Sequence, residues 1–422
     1  MAVSRLLLTH VHLIDGTGGP VQGPVDLLVE GDRVGRITPS ESRAPAEPGV
    51  RTLDLTGTYV LPGLMDAHVH LASEQGATQM ERLRRMNPVL STVSALENAR
   101  RTVLGGFTSV RNASAPFGVA IQLAKAVDQG RVTGPEIFAS GRGLSITGGH
   151  GDPQNGWPEE TLEMIGPATV DSPDEVRKET RRQLRVGARA IKLFATGGVL
   201  SFGDKPDARG MTEEEMRAAV EEAHNVGVKV LAHAQGLQGI KNAVRAGVDS
   251  IEHGIYLDAE AADLMAERGT AFVPTLSAPE QIMAHASDTS RVPPWAVEKT
   301  RVAIEHHWNA VSLARARGVR IVLGTDAGTP FNFHGENGQE LRYLVRAGLT
   351  PMEAILAATS YAADLLGSEA GILAEGRTAN LIGTRENPLE DIEAIARADR
   401  LGLVMLRGRV VREGRRSRIG SL

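Results

Sequence analysis

Residues 59–371 alternate between short apolar runs and longer amphipathic stretches, and this alternation constrains the fold more than any other feature. The strand-like runs are LMDAHVHL, FTSVRN, EIFASG, RAIKLFA, KVLAHA, DSIEHG, AFVPTL and RIVLGTD. The stretches between them, such as TEEEMRAAVEEAHNVG, have helical spacing, and Thr212 and Glu215 match a capping box. Eight strand–helix units predict a parallel (β/α)8 barrel, the TIM-barrel architecture of the α/β class.

Both ends of the chain follow a different pattern. They contain short β-like runs, such as RLLLTHVHLI and LGLVMLRGRVVREG, separated by turns rich in glycine and proline. We therefore predict one small β-sandwich domain assembled from both termini, residues 1–58 plus 372–422. The barrel domain would then comprise residues 59–371.

Composition excludes several classes of function. The formal net charge of −5 gives no electrostatic footprint for nucleic acid. The absence of cysteine excludes disulfides, thiolate metal ligands and a cysteine nucleophile. No apolar stretch has the length of a signal-peptide core or a membrane span. We expect a cytoplasmic protein that binds neither nucleic acid nor membrane.

Six polar residues lie at or near the C-terminal ends of the strand-like runs. They are His68, His70, Lys192, His233, His253 and Asp326. Because active sites of barrels lie at the C-terminal ends of the strands, we expect these side chains to converge. Four imidazoles, a lysine and a carboxylate can hold two divalent cations, which make hydroxide from water at neutral pH. The pattern predicts a metal-dependent hydrolase.

The His-x-His pair formed by His68 and His70 places both side chains on one face of a strand. The same pattern occurs at His10 and His12, in the predicted terminal domain and without partners. An isolated pair is therefore a weak signal, and the prediction depends on the whole set.

Lys192 is the most unusual member of the set. A protonated lysine would be repelled by nearby cations, whereas burial at the end of an apolar strand favours the neutral amine. A neutral amine can capture carbon dioxide and become an anionic carbamate whose two oxygens bridge two metals. We therefore predict N6-carboxylation of Lys192.

Several strings resemble those of a known family. PGLMDAHVH, GARAIKLFATGG, VLAHA, SIEHG and GTDAG resemble the strand motifs of the amidohydrolase superfamily, in its binuclear branch with a carboxylated lysine. TGGHGD, EHGIYLD and ATSYAADLLG are similar to the imidazolonepropionase-related, prolidase-like branch, which includes amidases that hydrolyse ochratoxin A. The resemblance covers nearly the whole chain. The pair Arg111-Asn112 after the second strand and Asn380 in TANLIG depart from it, since an aspartate is common at these two places.

The resemblance implies a role for each residue of the set. His68, His70 and Asp326 would bind the first metal, His233 and His253 the second, and carboxylated Lys192 would bridge them. Zinc is the expected ion, although these ligands also suit manganese, cobalt and iron. A metal-bound hydroxide would attack the scissile carbonyl. Asp326 would take its proton and pass it to the leaving nitrogen.

The resemblance also implies substrate contacts outside the metal set. His150, in a glycine-rich loop, would hydrogen-bond the substrate carbonyl or its oxyanion, and Tyr256 would reach the substrate's carboxylate or carbonyl. His334 is a further candidate for substrate binding. The family habit implies a homo-oligomer.

The leading prediction is an amidase or dipeptidase that cleaves an amide bond in a small carboxylate-bearing substrate. N-acyl amino acids, Xaa-Pro and other dipeptides, and ochratoxin A are the candidates. One alternative is a cyclic amidohydrolase: imidazolonepropionase needs no Lys192, and dihydroorotase expects an arginine close behind His-x-His, where Leu71-Ala72-Ser73 has none. A non-enzymatic scaffold is the other alternative, but such proteins usually lack the ligands that this chain keeps.

Overall fold

The computed structural model describes residues 4–40, 49–78, 81, 85–152, 166–414 and 416–417. Its first strands are β1 (Arg5–Leu13), β2 (Gln22–Glu30), β3 (Arg33–Pro39), β4 (Arg51–Pro62), β5 (Leu64–Val69), β6 (Phe107–Asn112), β7 (Glu136–Ala139), β8 (Leu144–Ser145) and β9 (Ala168–Thr169). The others are β10 (Ala190–Phe194), β11 (Lys229–Ala234), β12 (Ser250–His253), β13 (Ala271–Val273), β14 (Leu381–Thr384), β15 (Leu401–Leu406), β16 (Arg409–Glu413) and β17 (Arg416–Ser417).

The α-helices lie mostly between the strands of the middle region. They are α1 (Pro88–Leu104), α2 (Val119–Asp128), α3 (Pro173–Val186), α4 (Glu213–His224), α5 (Leu237–Ala246), α6 (Ala259–Arg268), α7 (Ser277–Ala284), α8 (Pro294–Ala316), α9 (Gln339–Arg346), α10 (Pro351–Ala357), α11 (Ser360–Leu366) and α12 (Glu393–Ala396). Among the described residues, no helix is both long and apolar enough to cross a membrane.

The two ends of the chain form one eight-stranded sheet in the order β17-β16-β15-β14-β4-β1-β2-β3. Strands from the N-terminal and C-terminal segments meet where β4 pairs antiparallel with β14. A separate apolar core, which includes Leu8, Leu27, Val60, Leu381 and Met405, packs on this sheet. Residues 1–3, 41–48, 415 and 418–422 of the predicted terminal domain lie outside the described residues.

The middle of the chain forms a closed parallel barrel. β5, β6 and β7 pair in sequence, and β10, β11, β12 and β13 pair in sequence. Bridges between Ser140 and Ala190, and between Phe272 and Ile321, connect these groups to each other and to an eighth extended segment. That segment returns to β5, because the backbone amide of Asp326 donates to the carbonyl of His68. The predicted barrel with a small terminal β domain is confirmed.

Local sequence signals set the helix boundaries. The side chain of Thr212 accepts a hydrogen bond from the backbone of Glu215, whose own side chain accepts from the backbone of Thr212. This is the predicted capping box, and it begins α4. Gly187 and Gly247 end α3 and α5 in the left-handed conformation, which glycine adopts without steric cost.

The junction between β4 and β5 leads the chain from the sheet into the barrel. Gly63 is the single residue between the two strands. A Cβ atom at this position would lie 2.3 Å from the side-chain oxygen of Thr108, so only glycine fits without displacing β6. The close approach fixes where β5 enters the barrel, and β5 carries His68 towards the barrel mouth.

Candidate metal centre

The six predicted metal-binding residues converge at the C-terminal mouth of the barrel. Each lies in a barrel strand near its end or immediately after it: His68 in β5, His70 after β5, Lys192 in β10, His233 in β11, His253 at the end of β12 and Asp326 in the eighth segment. All six line the same cavity. Residues up to 258 positions apart in the chain, Asp326 and His68, thus share one site.

Asp326 lies between the two histidines of the first predicted metal-binding set. Its Oδ1 atom is 3.0 Å from Nε2 of His70 and 3.6 Å from Nε2 of His68. One potential ligand atom from each of the three residues lies within 4.8 Å of those of the other two. This spacing fits a single cation placed between them.

The second predicted set continues from the first through contacts between imidazole rings. The ring centroid of His253 lies 5.1 Å from that of His68 and 4.6 Å from that of His233. Lys192 lies on β10, which pairs in parallel with the strand that carries His233. Its side chain is 2% exposed, and the ammonium nitrogen lies 5.3 Å from the centre of the Phe194 ring.

Among the described residues, hydrogen bonds leave one ring nitrogen free on each of three histidines. Nδ1 of His68 pairs with a carboxylate oxygen of Glu252 at 2.6 Å, and Nδ1 of His253 pairs with the hydroxyl of Thr275 at 2.7 Å. His233 donates from Nε2 to the carbonyl of Gly197 at 3.0 Å, because a carbonyl only accepts. Nε2 of His68 and of His253, and Nδ1 of His233, can therefore act as ligand atoms.

An oxygen without a well-aligned hydrogen bond provides a second test of whether metal fits. Oδ1 of Asp326 is buried, and although Nε2 of His70 lies 3.0 Å away, the oxygen makes no well-aligned hydrogen bond among the described residues. Buried polar atoms are almost always paired, and an ion is one explanation of an exception. Imidazole nitrogens and a carboxylate oxygen are the donors that zinc and similar divalent ions accept. The residues present thus fit a divalent cation.

Burial holds three histidines of the site, His68, His233 and His253, in the neutral form that binds metal. It lowers the pKa of His68 to about 4, with a further contribution from the charge of Lys192. Burial likewise lowers the pKa values of His233 and His253 well below their usual range. At neutral pH, imidazole lone pairs are therefore available.

Lys192 and Asp326 have shifted pKa values of the kind that the site requires. Burial lowers the pKa of Lys192 to about 8, although the charges of Glu252 and Asp326 oppose this shift. For Asp326, burial acts to raise the pKa, but the close approach of His70 and the charge of His68 outweigh burial and lower the pKa. The site thus combines an ionised carboxylate with a lysine that deprotonates more easily than usual.

Strained backbone conformations occur at two predicted ligands and at one of their neighbours. His253, Thr275 and Asp326 have φ angles of 71°, 57° and 59°, which are uncommon for residues other than glycine. Such conformations persist where the surrounding structure enforces them, and they concentrate at functional sites. These residues lie at the end of a strand or outside the assigned strands, so strand periodicity alone does not give the direction of their side chains.

The cavity over the site has a volume of about 400 Å³ and mostly apolar walls. Its apolar lining includes Met86, Leu90, Val199, Leu200, Ile282 and Ile304. Apart from Lys192, the one cationic side chain among the described lining residues is Arg85, which pairs with Glu74 at 2.9 Å. The cavity can therefore hold a small molecule with a substantial apolar part.

The predicted substrate-binding residues occupy three different positions. His150 lines the cavity and stacks on His233 with a centroid separation of 4.2 Å. Tyr256 lines a neighbouring pocket together with Lys205 and is not among the residues that line the cavity. His334 lies behind His70: its Nδ1 pairs with Thr102 and its Nε2 donates to the carbonyl of His70.

Sequence reasoning missed the buried charged residues beneath the site. Asp66 accepts hydrogen bonds from the backbone of His68 and from the backbone and hydroxyl of Thr325, so it connects β5 to the segment that carries Asp326. Glu252 pairs with His68. Both lie within apolar strand-like runs and beside predicted ligands, a signal that would have identified them.

Comparisons with known proteins agree with this geometry. The model of the Amidohydrolase family matches residues 59–411. Ochratoxinase from Aspergillus niger is 35% identical over 405 residues, which cover 90% of this chain and 81% of the relative. A crystal structure of a Xaa-Pro dipeptidase with bound methionine has a TM-score of 0.88 and 34% identity, covering 96% of this chain and 99% of the other. A prolidase complexed with N-methylphosphonate-L-proline has a TM-score of 0.88 and 32% identity, covering 97% and 100%.

Proposed function

Since the chain belongs to the amidohydrolase family and is a hydrolytic enzyme, we propose that it cleaves the amide bond of a small carboxylate-bearing substrate at a binuclear metal centre. The observation that carries the proposal is that all six potential ligands line one cavity, in which the buried Oδ1 atom of Asp326 lies close to His68 and His70. The imidazolonepropionase-like alternative does not require Lys192, whose buried position beside the histidines favours the binuclear form.

The proposed ligand set uses the atoms that hydrogen bonding leaves free. His68 and His70 would bind one ion with Asp326, His233 and His253 would bind the other, and N6-carboxylated Lys192 would bridge them, with zinc as the expected metal. When bound, divalent ions polarise a carbonyl and lower the pKa of water towards about 7. The carbamate and Asp326 would offset part of the positive charge of the two ions.

Asp326 is the proposed group that moves a proton. Its lowered pKa keeps it ionised at neutral pH, so it can accept a proton from the attacking water. The same carboxyl group can then donate that proton to the nitrogen of the leaving amine. The carboxylate of Asp326 lines the cavity and contacts both His68 and His70.

His150 is the proposed contact to the substrate carbonyl. It lines the cavity, and its Nδ1 atom pairs with Ser201 at 2.7 Å, which leaves Nε2 for the substrate. Both ring nitrogens of His334 already have hydrogen-bond partners, Thr102 and the carbonyl of His70. We therefore propose that His334 positions His70 and does not bind substrate. Contact of Tyr256 with substrate stays a prediction.

The substrate candidates follow from the cavity and the relatives. The apolar lining of the cavity suits an amino-acid side chain or acyl group with a large apolar surface. The relatives are named for action on ochratoxin and on Xaa-Pro dipeptides. We therefore propose N-acyl amino acids, Xaa-Pro and other dipeptides, and ochratoxin A as the substrates to test.

A screen of these compounds tests the proposal, with metal content measured by elemental analysis on the same sample. We expect hydrolysis that a chelator abolishes and that added zinc restores, with two metals per chain. Hydrolysis that survives complete metal removal would contradict the metal mechanism. Cyclic amides belong in the same panel, because their selective ring opening would favour the cyclic amidohydrolase alternative. Light scattering on this sample tests the expected homo-oligomer.

A further inference from the structure

A buried ion pair lies inside the barrel beneath the proposed metal centre. Arg111 on β6 donates from one Nη atom to Oε1 of Glu252 on β12 at 2.8 Å. The two side chains are 1% and 0% exposed. The Nε atom of Arg111 also donates to the carbonyl of Ala67, next to His68 in the chain, at 2.7 Å. The pair therefore spans the barrel interior and contacts the strand that carries the first predicted ligands.

The two oxygens of Glu252 have different partners. Oε1 accepts from Arg111 and from the hydroxyl of Ser250, whereas Oε2 lies 2.6 Å from Nδ1 of His68. An ionised carboxylate only accepts hydrogen bonds, so the proton lies on Nδ1 of His68. The lone pair of that neutral ring is then on Nε2, the atom that faces Oδ1 of Asp326 at 3.6 Å.

Arg111 explains how a fully buried carboxylate can be kept there. An isolated buried charge is costly, and it is tolerated where a partner of opposite charge and good hydrogen bonds compensate for the lost hydration. Burial acts to raise the pKa of Glu252, but Arg111 and the hydrogen bond with His68 outweigh burial and lower that pKa to about 2.

We propose that Glu252 is a positioning residue that fixes His68 in the Nδ1–H tautomer and so presents Nε2 to the metal, while Arg111 neutralises the charge of Glu252 and holds it in place. The proposal rests on the metal centre proposed above. A carboxylate partner also makes the imidazole a stronger ligand than a neutral partner would. A merely structural ion pair would stabilise the fold without affecting metal affinity.

The first experiment compares Glu252→Gln with Glu340→Gln. Glu340 is also fully buried and bonds to Ser277, but it has no hydrogen bond to a predicted ligand. The affinity of each metal-free protein for Zn²⁺ is measured by competition with a chromophoric chelator, and its unfolding temperature is measured in parallel. We expect Glu252→Gln to weaken Zn²⁺ binding about 10–100-fold, the usual effect of removing a partner of a metal ligand. Glu340→Gln should leave the affinity within about threefold of wild type, well below that range.

Unchanged Zn²⁺ affinity in Glu252→Gln, with only a lower unfolding temperature, would overturn the proposal. The role of Arg111 is tested by Arg111→Met, which should also weaken Zn²⁺ binding, and equal affinity to wild type would overturn that part. The substitution of Glu252 by glutamine keeps the shape of the side chain but removes its charge.

A second measurement needs no variant of Glu252. The ¹⁵N chemical shifts of histidine report which ring nitrogen carries the proton, and a spectrum of His68→Gln identifies the signal of His68. We expect the Nδ1–H form in the wild-type metal-free protein, and an Nε2–H signal would overturn the proposal. If wild type binds no Zn²⁺, the proposed function fails, whereas this spectrum still decides the tautomer.

Discussion

The protein contains two His-x-His pairs in different surroundings. His68 and His70 lie at the mouth of the barrel, where Glu252 and Asp326 contact them. His10 lies in the terminal sheet, 3.4 Å from a carboxylate oxygen of Asp54, whose side chain is 69% exposed. The barrel pair thus meets buried carboxylates, and the terminal pair meets a solvated one.

The two pairs differ in the side chains that the surrounding strands bring next to β5 and to β1. At the barrel mouth, parallel strands all end on the same side, so side chains from β10, β11 and β12 join the pair on β5. In β1 the pairing register with β4 shifts between Thr9 and Val11, and His12 stacks on Tyr59. The same three-letter pattern therefore indicates a metal site only where the topology supplies further ligands.

Removal of one histidine from each pair tests this contrast most strongly. His68→Ala should reduce kcat/KM by at least about 100-fold, because loss of a mere partner of a metal ligand already costs 10–100-fold. His10→Ala should leave kcat/KM within about twofold, since surface changes away from special features have small effects. Steady-state assays and elemental analysis of both variants check this, and an equal loss in both would contradict the different roles of the two pairs.

Lys192, which has no counterpart beside the terminal histidine pair, predicts a pH dependence of reactivation by zinc. Carboxylation needs the neutral amine, and burial lowers the pKa of Lys192 from 10.5 to about 8. The neutral fraction rises roughly tenfold per pH unit below that pKa and levels off above it. Reactivation of metal-free enzyme by zinc, at a fixed concentration of dissolved carbon dioxide, should therefore accelerate up to about pH 8. A rate independent of carbon dioxide would contradict the bridging carbamate.

Two glycine substitutions extend the comparison to backbone positions. A Cβ atom at Gly198 would lie 2.3 Å from Cε1 of His150, whereas one at Gly402 in the terminal sheet would lie 3.7 Å from its nearest neighbour. Gly198→Ala should displace His150 and lower kcat/KM by about 10–100-fold, as misplaced catalytic groups do. Gly402→Ala is the control, and we expect its kcat/KM to match wild type. Similar activity of both variants would argue against a role for His150.

The smallest expected effect concerns the stability of the terminal sheet. The rings of His12 and Tyr59 stack with centroids 4.9 Å apart. His12→Ala should lower the free energy of unfolding by about 0.5–1.5 kcal/mol, the usual value of a ring pair. Chemical denaturation measures this, and metal content should not change. A loss of metal in His12→Ala would show that the two pairs are not independent.

Much of the fold follows from the sequence, because hydrophobic periodicity is local and the succession of strands and helices along the chain can be read from it. The runs around His68, Lys192 and His233 alternate with helices, so the barrel and the convergence of their side chains could be predicted. The capping box at Thr212 and Glu215 is equally local, and the structure contains it.

The remainder depends on contacts between distant segments. The hydrogen bond from His334 to the carbonyl of His70 forms because the chain after the eighth segment passes close to His70. No local sequence pattern encodes this approach. The pairing of Arg111 with Glu252 joins β6 to β12 across the barrel interior. Tyr256 lies three residues after His253, yet it lines a different pocket. The directions of side chains beyond the strand ends therefore could not be predicted.

The pairing of β4 with β14 holds the two ends of the barrel segment together. The chain leaves the sheet at Pro62 and returns at Leu381, and these two residues are themselves paired. The segments that enter and leave the barrel are thus hydrogen-bonded side by side, and β5 begins two residues after Pro62. A chain trimmed to residues 59–371 would keep every predicted ligand but lose the pairing of Pro62 with Leu381, so we expect the start of β5, the strand that carries His68, to be held less firmly.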